Sequence, residues 1–151
     1  MQKASIRLTA RGVIVRNAAI LLVEYLDENG LHYNIPGGGV EFGEPLRTAV
    51  QREVMEETCV SATAHDLLFV YEHVTPQSPN AHSVSCFFRC TLAPDAIAKM
   101  PLKPDLHQTG VKWIPLTEFA DILLYPHVNQ HILDALSNTR LDNFIETIPL
   151  R

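Results

Sequence analysis

The stretch PGGGVEFGEPLRTAVQREVMEETCV, residues 36–60, decides how this chain is read. Its second half has helical periodicity, with a helix expected over Pro45–Thr58. Place Glu53 at zero on a wheel of ~100° per residue. Leu46, Val50 and Val54 then fall at about 20°, 60° and 100° and define an apolar sector. Glu57 falls at about 40°, inside that sector, and Glu53 lies on its edge. Arg47, Thr48, Gln51, Met55 and Thr58 read as the outer face, which carries no carboxylate. Acids at helical spacing repel one another, and half-buried, unpaired carboxylates cost several kcal/mol. A shared hard cation, Mg²⁺ or Mn²⁺, held by Glu53, Glu56 and Glu57 resolves the conflict. A salt-bridged surface cluster is the competing reading. Arg52 stands four residues before Glu56, where a planar guanidinium can pin a carboxylate.

The residues before the helix favour the metal reading. Gly37, Gly38 and Gly39 allow a sharp turn and a close approach of backbone to a ligand. Pro45 suits the first helical position and pushes Glu44 into a capping role.

The rest of the chain sets the frame. Its 151 residues suffice for one domain with a sizeable core, and 46% hydrophobic with 19% charged residues is ordinary for a globular protein. The formal net charge of -5, without a basic run, argues against nucleic acid and acidic membranes as partners. No apolar segment reaches membrane-spanning length, and the N-terminus lacks a signal-peptide core, so a cytoplasmic location is expected. Cys59, Cys86 and Cys90 form neither a disulfide framework nor zinc-ligand spacing, and Cys86 and Cys90 read as buried hydrophobes.

Strand-like runs open the chain: IRLTARGVIV and AAILLVEYL around a turn at Arg16-Asn17, then LHYNI after DENG. LLFVYEHV and SVSCFFRC follow the helix, then VKWIPL, and the segments LTEFADILL and HVNQHILDAL read as helical. Strands interleaved with helices imply an α/β layered domain, a mixed sheet covered by helices. One domain over residues 1–151 is expected.

Residues 38–60 resemble the Nudix box, whose pattern is G, five residues, E, seven residues, R-E-U-x-E-E-x-G-U, with U a bulky aliphatic residue. Gly38, Glu44, Arg52, Glu53, Val54, Glu56, Glu57 and Val60 match in register. Cys59 stands where the pattern has its second glycine, which would alter the end of the helix. The resemblance implies an α/β/α sandwich around a central mixed β-sheet. It also implies metal-dependent hydrolysis of the pyrophosphate bond in a nucleoside diphosphate linked to another moiety. By that likeness Glu53, Glu56 and Glu57 hold Mg²⁺ or Mn²⁺, with the Gly38 carbonyl as a further ligand. Arg52 orients a glutamate, Glu44 supports the loop, and Glu53 is the first candidate for the base, ahead of Asp105. A homodimer is compatible with the family.

The substrate is less legible. Pro76, sixteen residues past Val60, resembles a feature of Nudix enzymes acting on ADP-ribose and leans the reading toward ADP-ribose or nucleotide sugars. Tyr33, just before the glycines, is the aromatic expected at the substrate, whereas the phenylalanines and Trp113 are expected in the core. His127 and His131, four apart on an expected helix, lack a third zinc ligand. Two other readings stand beside the leading one: a nucleoside triphosphate pyrophosphohydrolase, and a nucleotide-sensing domain without turnover.

Overall fold

A computed structural model describes residues 4–75, 82–139 and 142–147. The first arm of the sheet is a hairpin of β1 (Arg7–Arg16) and β2 (Ala19–Asp27). Asn17 and Ala18 both adopt left-handed φ, 52° and 58°, so the turn sits one residue later than the sequence suggests. Two positive φ values make the turn twist in the sense that the flanking strands require. β3 (Gly30–Asn34) pairs back on β2.

β4 is the glycine triplet, Gly37–Gly39, and it corrects the loop reading of that segment. The triplet pairs antiparallel with β1, setting Gly37 opposite Arg11 and Gly38 opposite Ala10. Backbone pairing is available because glycine leaves room for what packs on both sides. Next come α1 (Leu46–Thr58), β5 (Ala62–Val74), β6 (His82–Leu92) and β7 (Gln108–Pro115). The chain then forms α2 (Leu116–Phe119), α3 (Asn129–Leu136) and β8 (Phe144–Thr147).

The strand order is β3-β2-β1-β6-β5-β8, with β4 also on β1 and β7 also on β2. The β1–β6 and β5–β8 pairs are parallel and the others antiparallel, so the sheet is mixed as expected. β1 is the hinge of the fold, pairing with β4 along its first half and with β2 at its end.

Alternation along β1 sends its residues to two cores. Ala10 and Ile14 join Val50 and Val54 of α1 with Phe88 and Cys90 of β6. Val13 joins Phe69, Phe87, Phe119, Leu124 and Ile132 on the other face, beneath α2 and α3. Val50 and Val54 are fully buried, each contributing about 2 kcal/mol relative to exposure. This is a layered α/β arrangement.

Several local expectations are corrected. Pro45 lies outside α1 as its N-cap residue, extended at ψ 146°, and no side chain caps the helix. Thr58 is buried rather than outward, because its hydroxyl donates to the Val54 carbonyl at 2.6 Å. The LTEFADILL segment is helical only at Leu116–Phe119, and His127 precedes α3, so it shares no helix face with His131. Phe42 is fully exposed rather than in the core. Cys86 and Cys90 are buried, and burial pushes the Cys90 thiol up to about 12, so it behaves as a hydrophobe. Pro76 lies outside the described residues.

Candidate active site

Arg52 ties the loop before α1 to the helix. Its Nε and Nη2 donate to the two Glu44 carboxylate oxygens at 2.8 and 2.9 Å, a paired fork. Nη2 also reaches the Gly39 carbonyl at 3.1 Å, and Nη1 donates to Glu53 at 2.9 Å and Glu56 at 3.3 Å. The Glu44 carboxylate in turn accepts from the Glu41 amide at 3.1 Å. The fork from Arg52 and this amide hold the Glu44 carboxyl down to about 2. Glu44 thus closes the loop on itself rather than capping the helix.

The wheel placed Glu57 among apolar residues, and it is buried at 5% exposure. Its Oε1 accepts the Gly37 amide at 3.1 Å. Burial outweighs this bond and the nearby Arg11 cation, and with Glu53 and Asp105 adding repulsion the carboxyl rises to about 8. Burial also raises the Glu53 carboxyl, against the pull of Arg52. Glu56 differs: its side chain is 57% exposed and turned toward Arg52. Among the described residues no three acidic, histidine or cysteine side chains are already gathered as a metal cage. The structure brings Glu53 and Glu57 together, while Glu56 stands beside them in water.

The glycines fit around these acids. A Cβ on Gly38 would lie 2.6 Å from the Glu53 carboxyl carbon, and one on Gly37 would lie 2.3 Å from the Ala10 carbonyl. Gly38 therefore leaves the Glu53 carboxylate lying against main chain.

Asp105 comes to the same place from the far side of the sequence. The Gln108 side chain donates to the Glu57 carbonyl at 3.1 Å and accepts from the Asp105 amide at 3.2 Å. Its loop is thereby fastened to the end of α1. The charge of Asp105 is felt at both Glu53 and Glu57, and its carboxylate accepts from Tyr25 at 3.4 Å. The Tyr33 hydroxyl donates instead to Glu24 at 3.3 Å, and its ring packs against the core under α3.

A cleft of about 390 Å³ is lined by none of these acids but includes Arg11, which feels the charge of Glu57 and Glu53. Its floor is three cross-strand rows on one face of β1, β6 and β5. Arg7 stands with Ser83 and His73, Thr9 with Ser85 and Tyr71, and Arg11 with Phe87 and Phe69, which are buried in the core and leave Arg11 as that row's contribution to the cleft. Thr9 donates to Ser85 at 2.7 Å, and Tyr71 stacks on His73 with centroids 6.2 Å apart. Tyr125, Pro126 and His127 form the opposite wall. Arg11 joins the two regions: it is paired with Gly37, its Nη1 donates to the Ile35 carbonyl at 3.0 Å, and its buried Nε has no partner.

Sequence reasoning missed Arg7, Arg11 and Tyr125 as cleft residues. A signal existed for the first two, since Arg7, Thr9 and Arg11 place a polar residue at every second position of an otherwise apolar strand.

The chain matches a model of the NUDIX domain over residues 6–136. It is 30% identical over 125 residues to a MutT-like protein of Streptomyces ambofaciens, covering 83% of this chain and 73% of that protein. Among solved structures it resembles a MutT NUDIX hydrolase from Burkholderia pseudomallei, with a TM-score of 0.71 and 26% identity over 87% of this chain and 98% of that one. A NUDIX hydrolase from Nitrosomonas europaea is similar at a TM-score of 0.72 and 26% identity, covering 90% of this chain and 92% of the other. The domain match runs through the strands, the acid-bearing helix and the cleft alike, and the chain belongs to the Nudix family as a Nudix pyrophosphohydrolase.

Proposed function

We propose that this chain hydrolyses the pyrophosphate bond of a nucleoside diphosphate linked to another moiety, leaning to ADP-ribose or nucleotide sugars, with Mg²⁺ or Mn²⁺ at Glu53, Glu56 and Glu57. Nudix hydrolases act on small nucleotide substrates and generally use a divalent metal. The observation that carries the reading is the state of Glu57. It is a carboxylate buried at 5% exposure, beside Glu53 and within the field of Asp105, and it accepts a hydrogen bond from the Gly37 amide. An oxygen-rich pair whose charge is disfavoured by burial fits a hard cation, since a cation supplies the missing countercharge. Glu56 would complete the donor set, since its contact with Arg52 is long, at 3.3 Å, and its side chain is mostly exposed.

When bound, the metal would neutralise the diphosphate and lower the pKa of a coordinated water. The protein's own groups do the rest. Arg52 holds Glu53 in place, and Glu44 holds Arg52. Gly38 leaves the Glu53 carboxylate space against the main chain, and its carbonyl is a further candidate ligand. Glu53 is the proposed base, since its proton affinity is raised by burial and the Arg52 bond orients it. Asp105 is the second candidate, held at the site by Gln108. Arg11 offers an unpartnered, buried N–H at the inner end of the cleft, suited to a phosphate oxygen that reaches it.

The test is a turnover screen of nucleotide sugars, dinucleotides and triphosphates with Mg²⁺ or Mn²⁺, beside Glu57→Gln. The expected result is metal-dependent cleavage to two phosphorylated fragments, abolished by EDTA and by the substitution. Release of inorganic pyrophosphate from triphosphates alone would select the triphosphatase reading. Tight nucleotide binding without turnover of any compound would sink the hydrolytic assignment.

A further inference from the structure

We propose that Arg7, backed by Ser83 and His73, selects the part of the substrate remote from the scissile bond by gripping a pair of adjacent hydrogen-bond acceptors. The proposal rests on the hydrolase reading of the same site and names what its cleft recognises. Arg7 and Arg11 stand on the same face of β1, four residues and therefore about 13 Å apart along the strand. Arg11 is the inner one, opposite Gly37, whose amide serves Glu57. A substrate whose diphosphate lies at Glu53 and Glu57 and passes Arg11 sends its remaining group along the three rows toward Arg7. The middle row offers Tyr71 as an aromatic surface, with Tyr125 on the facing wall.

The chemistry of that outer row is one-sided. Among the described residues none that lines the cleft is a carboxylate, and Arg7 has no acidic partner. Burial disfavours the Arg11 cation first, Glu57 favours it and Arg7 opposes it, so Arg11 has carboxylates in its field while Arg7 is left to acceptors from outside. A guanidinium carries five N–H donors in a planar fork and no acceptor. It therefore complements two acceptors side by side and offers nothing to an amino group. Two sources present that pattern: the oxo and ring-nitrogen edge of a guanine-type base, and the oxygens of a phosphate distant from the scissile diphosphate.

The experiment measures kcat and KM of the full chain with Mn²⁺ on two matched pairs, GDP-mannose against ADP-mannose and NADPH against NADH. The first pair exchanges the base and the second adds one remote phosphate, with the rest of each molecule unchanged. The expected result is a preference of roughly ten- to hundredfold in kcat/KM for the acceptor-bearing member of one pair, carried by KM. The first pair would assign the base edge and the second the remote phosphate. Arg7→Gln should bring that ratio to within about threefold of unity, and Arg7→Lys, which keeps the charge and loses the fork, should restore only part of it. Thermal melting of both variants checks that they are folded. Absence of a preference in both pairs, with turnover intact, would overturn the proposal while leaving the hydrolase reading standing. So would a preference that survives Arg7→Gln in a folded protein. Cleavage of ADP-ribose with none of the four compounds turned over would also overturn it, and no turnover of ADP-ribose or of the four would remove the hydrolase reading, and this proposal with it.

Discussion

Alanine substituted in turn at Gly37, Gly38 and Gly39 should separate the site from the fold within three consecutive residues. At Gly39 a Cβ would meet nothing within 4 Å, so Gly39→Ala should stay within about 0.5 kcal/mol of the parent. At Gly37 it would lie 2.3 Å from the Ala10 carbonyl and 2.6 Å from the Arg11 Cα, in a backbone at φ 154°. Main chain in a paired strand cannot step aside cheaply, and Gly37→Ala should cost about 3 kcal/mol, lowering Tm by roughly 6–12 °C. Gly38 is different in kind. Its φ is not in the left-handed region, so alanine fits the backbone, but its Cβ would lie 2.6 Å from the Glu53 carboxyl carbon and 2.7 Å from both oxygens. An ordinary contact needs the carboxylate to retreat by roughly 0.7–1 Å, which stretches its 2.9 Å bond from Arg52 beyond hydrogen-bonding range. Losing that partly exposed bond costs about 1 kcal/mol, whereas a 1 Å misplacement of a catalytic group costs on the order of a hundredfold in rate. Thermal melts and metal-dependent turnover, read together on all three variants, provide the assay. The reasoning is refuted if Gly38→Ala keeps kcat/KM within threefold of the parent. It is equally refuted if activity across the series simply follows Tm.

Three other outcomes are expected. Glu57 binds its proton more tightly folded, at about 8, than in the unfolded chain, so its contribution to stability is full below about 4.5 and is lost as pH rises through 8. Metal-free protein should therefore lose Tm between pH 5 and 8, while Mn²⁺, competing with the proton, should raise Tm more at pH 8 than at pH 6; a pH-independent metal shift would contradict this. Arg52→Lys keeps the charge but cannot span Glu44, Glu53 and Gly39 together, so stability should fall by about 1–2 kcal/mol, discounted for partial exposure, and kcat by tenfold or more. Unchanged kcat would remove the positioning role of Arg52. Cys59 holds φ 60° and ψ 22° at the end of α1, so Cys59→Gly should relieve about 1 kcal/mol and raise Tm by roughly 2–4 °C, and a lower Tm in a calorimetric scan would count against strain there.

Cys59 also shows how a departure from the family pattern is absorbed. Its amide still donates to the Met55 carbonyl at 3.0 Å, so the helix ends in the left-handed geometry that glycine would supply. The main chain keeps the turn, and the side chain carries the strain.

The acid-bearing helix was legible because period and charge conflict within 13 residues, a purely local contradiction. Glu57 facing inward follows from helical geometry alone, and the burial that raises its carboxyl is what the wheel implied. The strands of β1, β2, β5 and β6 were equally local, written in alternating and β-branched runs. The glycine triplet was misread because its strand exists only through β1: glycine has little strand preference of its own, and pairing with Thr9 to Arg11 decides its state. Helix was expected at LTEFADILL, but the structure ends it at Phe119, where Asn129 reaches back to bond the Phe119 and Ile122 carbonyls at 2.8 and 3.2 Å. That tertiary bond overrides local propensity.

By itself the sequence determined the family, the layered α/β class and the acids that confront one another, since each is encoded in neighbours on one helix or strand. Only the tertiary structure decided what those acids face. Arg11 opposite Gly37, Asp105 fastened by Gln108, and Arg7 aligned with Ser83 and His73 join segments far apart in the chain. Their positions follow from strand register, and register is fixed by packing two faces of β1 into two cores at once. A periodicity reports which face a residue takes; it does not report which residue lies across from it.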